Sequence, residues 1–273
     1  MIFKFPFSIK YLNDRYKLYI MDLNYKVEGS GEALVFIHGL SDSLLYWEFL
    51  ASNLKKDYQI IRMDLRGHGE SGLGDDEITL DTYVDDLKEL LDNLEVSNAN
   101  LIGFSLGGAI ATDFAVKYPE ITDSLVLMSS FYKADSYSTD ILNQFRDALG
   151  NSFEDFYDVI LPMVLCPEVI EANRKELMML RDVASQAANT EAYIKAVDVC
   201  SGLDLEDSLS KISAPTLVLA GKYDYISLLD TQKDLKNSIE NSELIVFDDV
   251  KHNLLVGKNN EKILEILRDF YKK

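Results

Sequence analysis

A serine, a histidine and an aspartate can act together on a carbonyl group when the histidine takes the serine's proton and the aspartate orients the histidine. The serine candidate is Ser105, within Leu101-Ile102-Gly103-Phe104-Ser105-Leu106-Gly107-Gly108-Ala109-Ile110-Ala111. The residues before it, from Asn98 to Phe104, read as a buried strand, and those after it carry Ala and apolar residues at helical spacing. A serine on so sharp a strand-to-helix turn takes a backbone with φ > 0. Gly103 and Gly107, two before and two after it, let strand and helix pass closely. The free N–H groups at the helix start then face whatever Ser105 attacks. The chain has three histidines. His38 precedes a glycine at a strand end, and His68 lies inside Arg66-Gly67-His68-Gly69. His252 follows the last core strand, so it is the base best placed to swing over a parallel sheet's carboxyl edge toward Ser105. Asp224, in Gly221-Lys222-Tyr223-Asp224 after the preceding strand, is the favoured acid. Its rivals are Asp230, in the next helix, and Asp248 and Asp249, close to His252 in sequence.

These residues need a sheet to bring them to one edge. Ala33–Ile37, Gln59–Met63, Asn98–Phe104, Ser124–Met128, Pro215–Ala220 and Glu243–Phe247 read as strands, the first as a continuous apolar run covered on both faces. Tyr16–Val27 alternates and is followed by the turn Glu28-Gly29-Ser30-Gly31, which predicts an antiparallel edge hairpin. Helices are predicted over about Ser43–Leu54, with Trp47 and Leu50 inside, over Thr79–Leu94, after Ser105, and over about Asn259–Tyr271. Leu80, Tyr83, Val84, Leu87, Leu90, Leu91 and Leu94 share one face of the second of these. The alternation predicts an α/β fold, a mostly parallel twisted sheet with helices on both faces.

Between Ser130 and Ser213 the strand signal stops and only helical patterns remain. Phe153, Phe156, Tyr157 and Ile160 fall at helical spacing. Pro167 opens a helix running through Met178 and Met179, and Thr190 caps another carrying Tyr193, Ile194 and Val197. Residues 131–211 therefore read as an inserted helical cap, with 1–130 and 212–273 forming the core. Tyr137, Phe145 and Met163 are candidates for its roof over Ser105.

Composition bounds the partners. At 273 residues, 47% hydrophobic and 27% charged, the chain can bury a sizeable core. A net charge of −19 argues against nucleic acid and anionic membrane surfaces. No apolar run is long enough to span a bilayer, and Met1–Lys10 lacks the features of a signal peptide. Cys166 and Cys200 read as buried thiols of a reducing compartment, which suggests a cytoplasmic protein. No His/Asp/Glu cluster has metal-ligand spacing, so no metal or redox cofactor is implied. Nothing in the sequence specifies an oligomeric state.

The chain resembles the α/β-hydrolase superfamily from about Tyr19 to the C-terminus, the cap excepted. The resemblance rests on His38-Gly39, Asp64 with Arg66-Gly67-His68-Gly69-Glu70-Ser71, Gly103-Phe104-Ser105-Leu106-Gly107-Gly108, Gly221 with Asp224, and His252. Their order, nucleophile then acid then base, is the one that fold uses. The resemblance implies a triad of Ser105, Asp224 and His252, with the backbone N–H groups of Leu40 and Leu106 as oxyanion hole. It implies structural roles for His38 and His68. Within the superfamily the chain is most similar to the small esterase, enol-lactonase and cofactor-free haloperoxidase group. Ser105 sets it apart from dehalogenases, which carry aspartate there. Phe104 departs from the Asn that usually precedes the serine in carbon–carbon bond hydrolases. The implied activity is cleavage of a small-molecule carboxylic ester. The alternatives are a ligand-binding, receptor-like homologue with little turnover, or a lactone or carbon–carbon bond hydrolase.

Overall fold

The computed structural model describes residues 22–272. Seven strands form one sheet: β1 (Tyr25–Glu28), β2 (Ala33–Ile37), β3 (Gln59–Met63), β4 (Ala99–Phe104), β5 (Thr122–Met128), β6 (Thr216–Gly221) and β7 (Ser242–Phe247). Their order is β1-β3-β2-β4-β5-β6-β7, and every pairing except β1 with β3 is parallel. Side chains alternate across β2. Val35 and Ile37 enter one core with helices α2 (Leu80–Asn93), α3 (Leu106–Lys117) and α9 (Leu229–Ser238). Leu34 and Phe36 enter a second core with Trp47, α1 (Glu48–Leu54) and α10 (Asn259–Tyr271). Both faces are thus covered, as the continuous apolar strands require.

Several sequence expectations differ from the structure locally. The Tyr16–Val27 stretch does not make a hairpin with its neighbour within the described residues. β1 pairs instead with β3, Tyr25 opposite Met63 and Glu28 opposite Ile60, and the chain crosses the start of β3 to reach β2. Gly29, at φ 76°, makes that crossing, pressed so close to the carbonyls of Lys55 and Tyr58 that no Cβ fits. Arg62, wholly buried, fastens the edge through Glu28 at 2.5 Å and Glu48 at 2.8 Å. The aromatics of Met1–Lys10 and the start of the Tyr16–Val27 stretch lie outside the described residues. The predicted Ser43–Leu54 helix is a 3-10 turn, Leu44–Trp47, followed by α1. Its N-cap is Ser43, which accepts a hydrogen bond from the Leu45 N–H.

Between β5 and β6 come α4 (Ser136–Asn151), α5 (Phe153–Val164), α6 (Pro167–Ala172), α7 (Arg174–Ala187) and α8 (Thr190–Ser201). The helix expected from Pro167 through Met179 breaks at Asn173, whose φ of −122° is not helical. The cap of α8 is Asn189, accepting from the Ala192 N–H at 3.1 Å, rather than Thr190. Phe145 is buried edge-on to Phe156, so it belongs to the core of these helices. The two ends of the insertion meet in a short antiparallel bridge. Ala134 N–H donates to Leu203 O at 2.9 Å, and Leu205 N–H donates to Tyr132 O at 2.7 Å.

Strand order reverses between β2 and β4, which opens a crevice at their carboxyl ends. Helix α3 starts there, so close to β2 that a Cβ on Gly107 would collide with the carbonyl oxygens of Ile37 and His38. Gly150, near the end of α4, has nothing within 4 Å of the same position. Gly107→Ala should therefore lower the free energy of unfolding by about 1–3 kcal/mol through backbone overpacking. Gly150→Ala should raise it by about 0.5–1 kcal/mol through helix propensity. Urea denaturation of the two variants beside the parent checks both signs.

Candidate active site

Ser105 sits in the crevice as the N-cap of α3 with φ 52° and ψ −117°, a strained conformation for a residue with a side chain. Gly103 pairs with Ile37 across the sheet, which puts the ends of β4 and β2 side by side. Gly39 is so near that a Cβ there would lie 3.3 Å from the Ser105 Cβ.

Two peptide units border this spot, and neighbouring groups set the orientation of both. The Ser105 carbonyl accepts from Gly108 N–H at 2.9 Å, Ala109 N–H at 3.2 Å and Ser130 Oγ at 3.2 Å. The Leu106 N–H of the same trans peptide unit must point the other way, out of the helix start. The Gly39 carbonyl accepts from Asp42 N–H at 3.3 Å and lies 2.8 Å from His38 Nδ1. His38 Nε2 accepts the Leu65 N–H at 2.9 Å, so the ring proton is on Nδ1 and the Gly39 carbonyl is its acceptor. The Leu40 N–H, again in a trans unit, is therefore turned to the opposite side.

The structure brings Asp224 and His252 together. His252 Nδ1 lies 2.8 Å from Asp224 Oδ2, and both side chains are buried. Because a carboxylate oxygen only accepts, Nδ1 carries the proton in this pair. Asp224 Oδ1 accepts from the N–H groups of Ile226 at 2.8 Å and Ser227 at 3.0 Å. The His252 ring packs on Phe104, the residue before Ser105, with centroids 5.1 Å apart. The rival aspartates have other partners: Asp230 pairs with Lys233, Asp248 with Lys222, and Asp249 with Lys258. Gly221 presses on the Lys251 backbone, leaving no room for a Cβ, and so sets the acid strand against the histidine loop. The end of α5 touches that loop as well. Asn253 N–H donates to Val164 O at 3.1 Å, and Lys251 Nζ donates to Pro162 O at 2.6 Å.

A mostly parallel sheet with a strained serine at its switch point and a buried Asp–His pair beside it defines an α/β hydrolase. Residues 32–258 match the family model described as the alpha/beta hydrolase fold, and the chain belongs to that family of hydrolase enzymes. It is similar to the AB hydrolase superfamily protein YisY of Bacillus subtilis, with 29% identity covering 89% of this chain and 92% of the relative. It is also similar to the pimeloyl-[acyl-carrier protein] methyl ester esterase of Aliivibrio salmonicida, 26% identical, with 90% and 95% covered. Among solved structures, the enol-lactonase of Burkholderia xenovorans LB400 shares the fold with a TM-score of 0.85. That pair is 21% identical, with 92% of this chain and 96% of the other covered. No described helix is long and apolar enough to cross a membrane.

Sequence reasoning did not single out Asp42, which follows Leu40 by two residues. Burial pushes its carboxyl up to about 7, and its charge adds to the burial that holds the Tyr46 phenol protonated. Only the folded surroundings of Asp42 distinguish it from an ordinary turn aspartate. Cys166 also departs from expectation: it is half-buried, its thiol facing Asp249 O at 3.6 Å, while Cys200 is buried with its thiol pushed up to about 12.

The rings of His38 and His68 lie 5.4 Å apart, tilted by 53°, and Tyr193 packs on the second at 4.8 Å. Burial pushes His38 down to about 4, and burial together with its neighbour His38 pushes His68 down to about 3. Both rings are thus neutral in the folded chain at pH values where the unfolded chain binds protons. Their contribution is complete above the unfolded value near 6.5 and is lost as pH falls from there toward 4 and 3. The histidine contribution to the urea midpoint should accordingly fall between pH 7 and pH 5, against an opposite trend from Asp42, and it is read from the difference between wild type and the His38 variant. His38→Gln, which has no proton to take up, should show a lower midpoint at pH 7 and a shallower decline.

Proposed function

We propose that this protein is a serine hydrolase that cleaves small to medium carboxylic esters through an acyl-enzyme on Ser105. The observation that carries the reading is the buried Asp224–His252 pair at 2.8 Å, beside a serine at φ 52°. With Nδ1 bound to Asp224, Nε2 of His252 is the atom that takes the Ser105 proton as Oγ attacks the ester carbon. The carbonyl oxygen becomes an oxyanion facing the N–H groups of Leu40 and Leu106. One such donor supplies about 2.7–4 kcal/mol of transition-state stabilisation. The imidazolium then returns its proton to the departing alkoxide, leaving the acyl group on Ser105. A water molecule, deprotonated by His252, attacks the acyl carbon and releases the carboxylic acid, restoring the serine. The pimeloyl methyl ester esterase among the relatives supports an ester as the scissile bond.

Ser105→Ala should leave the fold intact and retain less than about a hundredth of wild-type turnover of p-nitrophenyl acetate. His252→Ala should match it, and Asp224→Asn should lose less than either. A fluorophosphonate should label the wild-type protein stoichiometrically at Ser105. Labelling with no ester turnover would favour a ligand-binding homologue, and neither labelling nor turnover would remove Ser105 as nucleophile.

The helices between β5 and β6 act in this reading as a lid that sets the acyl preference. The carbonyls of Val164 and Pro162 bond the His252 loop, so Met163, half-buried between them in sequence, is the lid residue chosen for the test. Met163→Ala should shift kcat/KM between acetyl and decanoyl esters by about 1–3 kcal/mol while fluorophosphonate labelling keeps its rate. A uniform fall in both, with no change in chain-length preference, would make the segment a support of the triad rather than a lid.

A further inference from the structure

A second cleft, of about 520 Å³, lies between α4 and α9 where the insertion leaves the sheet, and its lining includes none of Ser105, Asp224 or His252. Its size falls within the range of small-molecule sites. One wall is apolar, with Phe131, Ile141, Leu142, Ile226 and Leu228. The other carries charge of mostly one sign. Asp135, Glu206 and Asp234 line it against a single cation, Lys133, and that ammonium is already paired with Glu206 at 2.8 Å. Asp135 is held by the start of α4, accepting from Ser138 N–H at 2.8 Å, which keeps its carboxyl below the usual range. Burial, and after it the Asp234 charge, raises the Tyr132 phenol, so that ring remains neutral beside the carboxylates. An apolar wall facing two carboxylates without a cationic partner in the cleft suits an amphiphile with a positively charged head. An anion would meet the same carboxylates, and the whole chain's net charge of −19, as repulsion.

The cleft also touches the loop that holds the Asp224–His252 pair. Ile226 and Ser227, both in its wall, supply the two N–H groups bound to Asp224 Oδ1. Tyr137, on its α4 side, donates its hydroxyl proton to Tyr225 O at 2.8 Å. Ser227 Oγ donates to the carbonyls of Ser129 at 2.8 Å and Ser130 at 3.0 Å, where the chain leaves β5. A molecule seated between α4 and Ile226 lies directly beside this set of bonds.

We propose that this cleft is a second ligand site, which takes a small amphiphile with a cationic head and whose occupant alters the reactivity of Ser105 through the Tyr225–Ser227 loop. The head lies against Asp234 and Asp135, and the apolar body lies on Ile141, Leu142 and Ile226. Binding in the cleft, whose lining lacks Ser105, does not depend on the reaction proposed there, whereas the coupling rests on Ser105 being the nucleophile of the proposed reaction.

Benzyltrimethylammonium is the probe, titrated by calorimetry into the Ser105→Ala protein so that no turnover intervenes, with phenylacetate as the anion of similar size. The expected result is saturable binding of the cation, weakened about tenfold by Asp234→Asn and abolished by Thr231→Trp, which fills the cleft. Phenylacetate should bind at least about tenfold more weakly than the cation. In the wild-type protein, saturating cation should change the rate of fluorophosphonate labelling at Ser105, and in Thr231→Trp it should not. No saturable binding, or binding that survives Thr231→Trp, overturns the site. Equal binding of phenylacetate overturns its preference for a cation. Cleft binding that leaves the labelling rate unchanged overturns the coupling to Ser105.

Discussion

The close approach of helix α3 to the end of strand β2 is the constraint on which the rest of the site depends. At the switch in strand order a helix must begin where another strand ends, and backbone meets backbone with no side chain between. Gly107 permits that contact against the carbonyls of Ile37 and His38, and Gly103 permits it against the first turn of α3. The consequence is geometric. The peptide units after Gly39 and after Ser105 lie on either side of one gap, and each has its carbonyl tied back into the protein. The N–H groups of Leu40 and Leu106, each in a trans unit with one of those carbonyls, are turned to the opposite side. The strain at Ser105 is retained because the sheet hydrogen bond from Ser105 N–H to Met128 O and the helix bonds to its carbonyl fix it from both sides.

Most of the polar groups around this gap are partnered, as burial requires, although His68 Nε2, Ser129 Oγ and Gln232 Oε1 have no hydrogen-bond partner among the described residues. Asp64 shows the principle on the supporting side. Its carboxylate accepts from Leu44 N–H at 2.6 Å, Asn24 Nδ2 at 2.7 Å and Glu70 N–H at 2.9 Å, and it crowds Gly69 so closely that only glycine fits. Arg66 is held by a two-pronged pair with Asp86, at 2.9 and 2.6 Å, that joins the end of β3 to α2. These bonds fix the Arg-Gly-His-Gly turn and with it the floor under His38. The motif around His68 is thus a scaffold, and its residues reach the chemistry only through the Leu40 turn.

Much of this was legible in the sequence because it depends on local pattern. Apolar runs of four to seven residues marked the buried strands, and the serine turn announced itself through small residues at fixed offsets. That His252 and Asp224 would meet was suggested by their loop positions, since parallel strands carry all their following loops to one edge, but Asp230, Asp248 and Asp249 stayed rivals until the contact at 2.8 Å was seen. What escaped depends on contacts between distant segments. The pairing of β1 with β3 rather than with its neighbour is decided by which sheet edge is vacant, and nothing in Tyr25–Glu28 encodes that. The α8 cap shifted from Thr190 to Asn189, as two adjacent cap-forming residues offer almost equal local signals. Phe145 looked like a roof residue because periodicity shows that a residue is inward, without showing which interior it enters. Asp42, half-buried, differs from any other loop aspartate only once the surrounding chain packs around it and raises its carboxyl.

The place where the insertion leaves the sheet ties these observations together. Ser129, buried with φ 45°, ends β5 in a backbone conformation that a residue with a side chain rarely takes. Its carbonyl and that of Ser130 are gripped by Ser227 Oγ, and Ser130 O also accepts from Gln232 Nε2 at 2.5 Å. Ser130 Oγ in turn donates to the Ser105 carbonyl at 3.2 Å. The serine turn, the acid loop and the root of the insertion therefore share one buried hydrogen-bond network. Helices beyond that root can diversify, because their packing is carried by their own core of Phe145, Phe153 and Phe156. At the root, losing the Ser227 hydroxyl takes a donor from both the Ser129 and the Ser130 carbonyl, and a buried carbonyl left unpaired costs about 1–3 kcal/mol. Ser129 and Ser130, the two residues that follow β5, are thus where the packing of the inserted helices meets the hydrogen bonds of the serine turn.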